Sequence, residues 1–147
     1  MSIDTMIGTT LAFYVGATTE DQSSYEANSY LTIEGVTSIG AIADTSEDVT
    51  FNLLASGRTG HANGAADLGQ IAVECAFDPN ASTNLQALAA YNNTNTVITF
   101  RKQRSGGATT YFQGRLADYG EGDANASAYD SRNFTIRGTT APLEVIS

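Results

Sequence analysis

One histidine and one cysteine are the side chains of this sequence best suited to nucleophilic catalysis. A catalytic triad needs a nucleophile beside a base that a third group holds in place. His61 lies among Gly, Ala and Asn residues, where we expect an exposed ring without a fixed partner. Cys75 stands between Val73 and Phe77 on the apolar side of an alternating stretch, which indicates a buried thiol. The sequence therefore predicts no enzyme.

Two groups of acidic residues offer the oxygen ligands that calcium prefers. The first group departs from the spacing of a calcium-binding EF-hand loop, and Gly120 and Gly122 favour a plain turn. The second group is most simply a solvated turn. We expect neither group to hold a metal, and we expect no cofactor. The first group is Asp118, Glu121, Asp123 and Asn125, and the second is Asp44, Glu47 and Asp48.

The charge of the chain argues against affinity for nucleic acid. Its 147 residues carry 16 acidic and 7 basic side chains, a net charge of −9, whereas phosphate binding depends on clustered Lys and Arg. Residues 1–100 hold eleven acidic side chains and one basic one, and residues 101–147 hold five acidic and six basic ones. Copies of the chain would then be complementary to one another; the alternative is that these are ordinary solvated strand faces.

The length suits a single domain, residues 1–147, which needs no disulfide or metal to fold. No apolar stretch approaches the roughly 20 residues of a membrane span. Residues 1–4 lack the basic and apolar regions of a signal peptide. We therefore expect a protein made inside the cell, with no membrane partner.

Alternating apolar and polar residues, separated by clusters of Gly, Asn, Asp and Ser, predict β-strands. The strongest pattern lies in residues 70–77, where Ile71, Val73 and Cys75 share the apolar side. We expect polar residues 16–28 to form an exposed connection. The predicted strands are residues 8–15, 30–36, 49–53, 70–77, 96–101, 109–118 and 131–138.

A single helix of any length is predicted at residues 79–91. Asp78 can accept hydrogen bonds from the free N–H groups at the start of a helix, and Pro79 fits the first helical position. Leu85 and Leu88 form a narrow apolar stripe along it, and two asparagines end it.

The order of these elements predicts a mainly β fold, an antiparallel β-sandwich or open barrel with one flanking α-helix. Residues 55–64 hold three glycines and nothing large to bury, so we expect a long glycine-rich loop there. Loops of this length inside a domain are usually functional or disordered. This loop is therefore the first indication of function. Residues 118–125 are expected to form a second, acidic loop.

Several segments resemble those of siphophage major tail tube proteins. YLTIEGVTSIG (residues 30–40) is similar to a segment near the start of these proteins, and DLGQIAVECAFDP (residues 67–79) is similar to the strand that leads into their helix. LQAL (residues 85–88), YFQGRL (residues 111–116) and NFTIRG (residues 133–138) fit the same pattern. The resemblance spans nearly the whole chain and depends on the order and spacing of short motifs. The tail of a gene transfer particle would show the same pattern.

The resemblance implies a structural subunit of a tail tube. Such subunits form hexameric rings that stack into a conduit, through which DNA passes without specific binding from a phage-like particle into the host cell. The other partners it implies are a tape-measure protein, a tail terminator and distal tail or baseplate proteins. The implied location is the tail of a virion or particle assembled in the host bacterial cytoplasm.

The resemblance also implies two groups of site residues. The segment of roughly residues 37–69, which includes the glycine-rich loop, would contact the neighbouring ring. An outward strand face would line the lumen or join subunits. The inter-ring residues are Asp44, Glu47, Asp48, Gly57, Arg58, Gly60, His61 and Gly64. The strand-face residues are Thr32, Glu34, Ala72, Glu74, Arg101, Arg115 and Arg137.

Two other functions remain open at this point. A monomeric β-sandwich would bind carbohydrate through an exposed aromatic platform, although the chain has no tryptophan. A secretion-system tube protein of the same fold would also form hexameric rings. The tyrosines available for a platform are Tyr14, Tyr25, Tyr91, Tyr111, Tyr119 and Tyr129.

Overall fold

The computed structural model describes residues 8–43, 45–52, 57–122 and 129–146. These residues form ten strands and two short helices, neither of which is long and apolar enough to cross a membrane. The helices are α1 (Gln22–Ala27) and α2 (Thr83–Ala89). The strands are β1 (Thr10–Val15), β2 (Leu31–Thr32), β3 (Val36–Ile39), β4 (Thr45–Asn52), β5 (Thr59–Asp67), β6 (Gln70–Ala76), β7 (Ile98–Gln103), β8 (Ala108–Glu121), β9 (Ser131–Gly138) and β10 (Leu143–Ile146).

Eight strands form one antiparallel sheet in the order β2-β1-β7-β8-β9-β6-β3, with β10 paired to β8. Strand β8 is long enough to pair with β7 and β10 near its start and with β9 near its end. The described strands of this sheet do not close into a barrel. The predicted fold class, mainly β and antiparallel with a helix on its flank, is confirmed.

The core lies on one side of the sheet. Phe13, Phe100 and Phe112 stand opposite one another on β1, β7 and β8, and the last two rings stack 5.4 Å apart. Leu85 and Leu88 of α2 are fully buried in the same cluster. The cluster also includes buried residues of β6 and β9, so one core extends across the strands of the sheet.

The alternation predicted for residues 70–77 is confirmed for residues 70–76, but Phe77 lies beyond β6 and is only partly buried, beneath the Arg132 guanidinium. The predicted core pair of β9, Phe134 and Ile136, is confirmed.

Helix α1 covers part of the other side of the sheet. Its Tyr25 is fully buried and stacks on Tyr111 of β8 with ring centroids 5.0 Å apart. The Tyr25 hydroxyl accepts a hydrogen bond from Gln113 Nε2 at 3.0 Å. One aromatic side chain therefore anchors an otherwise polar segment.

The prediction that residues 16–28 form an exposed connection is wrong for the part that forms α1. The Asp21 carboxylate accepts a hydrogen bond from the Ser24 amide and caps this helix. With six residues and one buried side chain, α1 is too short to show a helical period in the sequence.

The predicted strand at residues 30–36 is broken into β2 and β3 by a turn at Gly35. This glycine has a φ of +74°, and a Cβ there would lie 2.5 Å from the carbonyl oxygen of Ala76. Only glycine fits both the left-handed backbone and the close approach to β6. The break leaves Ile33 buried and Leu31 half exposed.

The helix predicted at residues 79–91 is shorter than expected, because Asp78 closes a turn and does not cap the helix. The Asp78 carboxylate accepts from the Asn80 amide, and its carbonyl accepts from the Ser82 amide. Helix α2 therefore begins only at Thr83. Strand β10, which pairs with β8, was not predicted.

The predicted glycine-rich loop is in large part a strand. Strands β4 and β5 form a separate two-stranded antiparallel sheet, the hairpin. Gly60 of β5 lies beneath the ring of Phe51 on β4, where a Cβ would collide with the ring. None of the side chains described in the hairpin is buried.

The prediction of an acidic loop at residues 118–125 is wrong at its start, because β8 continues to Glu121. Asp123 and Asn125 lie outside the described residues.

We expect Leu88→Ala to lower the free energy of unfolding by about 2–5 kcal/mol, because it leaves a cavity where α2 packs on the sheet. Urea denaturation followed by circular dichroism would measure the loss. Ala87, exposed on the same helix, offers a matched control, since Ala87→Ser should change the free energy by less than about 0.5 kcal/mol. Equal effects of the two changes would contradict the packing described here.

Candidate functional site on the outer face of the sheet

On the side of the sheet opposite the core, most of the described residues of β6, β9 and the end of β8 are exposed, although Ala117 is buried. Alternation along β6 places Ile71 and Val73 in the core and turns Ala72 and Glu74 outward. Strand pairing then aligns the outward residues in three rows across the strands. This surface, the outer face, consists of Gln70, Ala72, Glu74, Asn133, Thr135, Arg137, Arg115 and Ala117.

The first row of the outer face is basic. Arg137 of β9 stands directly opposite Arg115 of β8 and Gln70 of β6. Arg137 Nη2 lies 3.6 Å from Asp118 Oδ2, and both side chains are more than half exposed. Arg115 donates from Nε to the Asn95 carbonyl at 3.3 Å, and it makes no ion pair with any residue that the structure describes. Arg115 and Arg137 are the basic row.

The second row contains only small side chains. Ala72, Thr135 and Ala117 lie opposite one another on β6, β9 and β8. Ala72 and Thr135 form the floor of a groove of about 400 Å³ that Glu74 and Asp118 also line, whereas Ala117 is buried. The third row, at the other end of the groove, holds the exposed Glu74 carboxylate, which accepts a hydrogen bond from the Tyr129 hydroxyl at 3.3 Å.

A bulge in β8 shapes the groove. The register of β8 and β9 shifts between Ala117 and Gly120, and Asp118 has a φ of +56°. The Asn93 Oδ1 accepts from the Asp118 amide at 3.3 Å, and the Asn92 Oδ1 accepts from the Tyr119 amide at 3.0 Å. The two asparagines after α2 therefore hold the bulge in place. Sequence reasoning assigned them only to the end of the helix.

The outer face brings together four of the seven strand-face residues: Ala72, Glu74, Arg115 and Arg137. The other three lie elsewhere. Thr32 lies in β2, opposite Ala12. Arg101 lies over the Tyr30 ring, 4.8 Å from its centroid, in the region that α1 covers.

Glu34 has a partner within the chain. Its carboxylate accepts hydrogen bonds from the backbone amides of Asn84 and Leu85, at 3.2 and 3.3 Å. These are free N–H groups in the first turn of α2. Glu34 therefore caps a helix that lies fifty residues further along the chain.

The inter-ring residues that the structure describes lie in or next to the hairpin. His61 Nδ1 lies 3.0 Å from Asp48 Oδ2, and each side chain is 62% exposed. The expectation that His61 lacks a fixed partner is therefore wrong. Glu47 and Gly64 lie in β4 and β5, Gly57 and Arg58 lie just before β5, and Asp44 lies outside the described residues.

The other residues considered for catalysis, metal binding or carbohydrate binding do not form such a site among the described residues. Burial, followed by the charges of Glu74 and Glu34, raises the pKa of the Cys75 thiol to about 12, so Cys75 is a core side chain and not a nucleophile. Among the described residues, no group of three or more His, Cys, Asp or Glu side chains is placed to hold a metal. Tyr25 and Tyr111 are buried against each other, so the tyrosines do not share one exposed platform.

No protein family model and no curated protein matches the sequence. Solved structures match over almost the whole chain, however. A chain of the sheath–tube complex of an extracellular contractile injection system (PVC), in the extended state, has a TM-score of 0.62 at 10% identity, covering 93% of this chain and 88% of its own. A chain of the six-fold symmetrised baseplate of the anti-feeding prophage has a TM-score of 0.61 at 10% identity. This match covers 99% of the present chain and 97% of the baseplate chain.

The tail of an empty gene transfer agent particle provides a third match. A chain of this tail has a TM-score of 0.58 at 14% identity, and the match covers 94% of each of the two chains. The resemblance to tail tube proteins is confirmed at the level of the fold. The chain has the fold of phage-type tail tube proteins.

We expect Cys75 to resist thiol reagents in the folded protein. At pH 8 a thiol with a pKa of about 12 is almost wholly protonated, so labelling by a disulfide reagent should be slower than in the unfolded chain by about 100-fold or more. Because the unfolded thiol loses its proton at lower pH than the folded one, Cys75 should also lower stability as pH rises from about 9 towards 12. A Cys75→Ala variant lacks this contribution, and rapid labelling of the native wild type would contradict the prediction.

Proposed function

We propose that this chain is the structural subunit of a tail tube. Its copies form hexameric rings that stack into a conduit, and DNA passes through this conduit from a phage-like particle into a host cell. The single observation that carries the proposal is the match in fold along almost the full length of both chains, 99% and 97% for the anti-feeding prophage baseplate chain. The six-fold symmetry of that baseplate and of the gene transfer agent tail supports a hexamer.

The open sheet supports assembly through its edges. Strands β2 and β3 lie at the ends of the strand order, and each is hydrogen-bonded on one side only within the described residues. Unpaired strand edges invite pairing with another chain. In a ring, neighbouring copies cover these edges.

The hairpin supports contact between rings. None of its described side chains is buried, and Phe51 is 45% exposed. A two-stranded hairpin is at best marginally stable by itself in water. Packing against a copy in the next ring buries the Phe51 side of the hairpin and stabilises it.

The proposed partners follow from the same comparisons. The similar chains come from complexes with a sheath, a terminator, a cap and a baseplate. They support a place for this chain in a particle tail with a terminator and baseplate proteins. The resemblance in sequence adds a tape-measure protein and assembly in the host cytoplasm to the proposal. The net charge of −9 keeps DNA from binding to the conduit. A tube of a contractile injection or secretion system is the second assembly that the fold supports, as the PVC match indicates.

Negative-stain electron microscopy of the purified protein across a concentration series tests the proposal. We expect rings of six copies with a central hole, and stacked tubes at higher concentration. Mass photometry on the same samples would count the copies per ring. Compact monomers up to the highest soluble concentration would contradict the proposal, and a glycan-binding screen would then test the carbohydrate module.

Replacing residues 45–66 by a short Gly-Ser linker should leave the domain folded but prevent stacking. The reason is that the hairpin contributes no described side chain to the core. Circular dichroism and urea denaturation would check the fold, and electron microscopy would check for tubes. Single rings without tubes are the expected result; tubes of normal length would overturn the inter-ring assignment.

A further inference from the structure

We propose that the basic row, Arg115 and Arg137, binds carboxylates of a second copy of this chain. The inference depends on the proposed function, since it requires copies that associate. It names the charged contact that joins them and the chemistry of the partner surface.

The basic row has a built-in electrostatic cost. Arg115 and Arg137 stand directly opposite each other on adjacent antiparallel strands and point to the same side. Like charges in this position destabilise a sheet. Asp118 offsets only part of the cost, since it lies 3.6 Å from Arg137 with both groups exposed. An anion supplied from outside the chain would remove the remainder.

A second copy carries the charge that the basic row lacks. Residues 1–100 hold eleven acidic side chains against the single Arg58, whereas the basic row belongs to the segment after residue 100. Guanidinium groups bind carboxylates through two parallel hydrogen bonds. Arg115 uses only its Nε atom within the described residues, for the Asn95 carbonyl. Its terminal nitrogens are therefore available to a neighbour.

The rest of the outer face orients the partner. In the row beside the arginines, the small side chains of Ala72 and Thr135 let another chain approach the sheet closely, along the groove of about 400 Å³. Glu74 lies in the row beyond, four residues from Arg137 along the strand direction, or about 13 Å. An acidic partner is attracted to the basic row and repelled by Glu74 and Asp118.

Substitution of single arginines tests the charge requirement. Arg115→Gln and Arg137→Gln should each raise the concentration at which half of the chains are assembled, and the double variant should raise it about tenfold. Arg104→Gln removes the same charge from the turn between β7 and β8, where Arg104 donates to the Thr110 hydroxyl, and should change assembly little. Circular dichroism would confirm that all variants fold.

Replacement by lysine identifies the partner group. The chain has one lysine, Lys102, and it is buried. Arg115→Lys and Arg137→Lys keep the charge and add an amine that a carbodiimide couples to a nearby carboxylate. We expect assembled samples to give cross-links from residue 115 or 137 to an Asp or Glu of another copy. Mixing isotopically labelled and unlabelled chains would show by mass spectrometry that the link joins two copies.

The outcomes separate the two proposals. Wild-type chains that never associate overturn the proposed function and this inference with it. Wild-type rings with unchanged assembly in both glutamine variants overturn this inference alone. Fluorescence anisotropy with a DNA duplex tests the alternative that the basic row binds phosphate. If the wild type binds the duplex and the double glutamine variant does not, the basic row is a phosphate site and the proposed protein partner is overturned.

Discussion

Backbone pairing along β8 is the constraint on which the rest of the structure depends. This one strand pairs with β7, β10 and β9, so its register decides which side chains of four strands share a side. Phe112 and Leu116 therefore enter the core, and Tyr111 and Arg115 turn away from it. A shift of one residue would exchange the two sides. The bulge after Ala117 is where this pairing is locally broken, and it is also where the groove of the outer face forms.

The sequence predicts those parts of the fold whose side chains alternate strictly. Residues 70–76 place every second side chain in the core, and Phe134 and Ile136 do the same in β9, so periodicity alone locates these strands. The first helix depends on one buried tyrosine, and β5 consists mainly of small residues. Such segments carry no period for the sequence to show, whereas the alternation in residues 49–53 does locate part of β4. Alternation predicts the outward direction of Ala72, Glu74, Arg115 and Arg137, but only strand pairing shows that they lie side by side. No local sequence pattern predicts the cap that Glu34 provides for α2, because the two segments are far apart in the chain.

One side of the sheet is divided between structure and surface. Near the start of β8, Tyr25 covers Tyr111 and reaches Gln113. Further along, the sheet is bare at Arg115, which points to the same side and is exposed, although Ala117 is buried. The covered part carries aromatic groups and hydrogen bonds, as a core layer requires. The bare part carries charges and small side chains, which suit contact with another molecule. The boundary between these parts falls within a few residues of one strand.

The cap that Glu34 provides for α2 also orders the events of folding. A helix of seven residues is unstable by itself in water, because nucleation costs more than a few hydrogen bonds return. Its first-turn amides reach their carboxylate only across fifty residues of chain. The helix therefore persists only when the strands that bring Glu34 into place have formed. A chain with this topology folds slowly compared with a helical bundle of equal length.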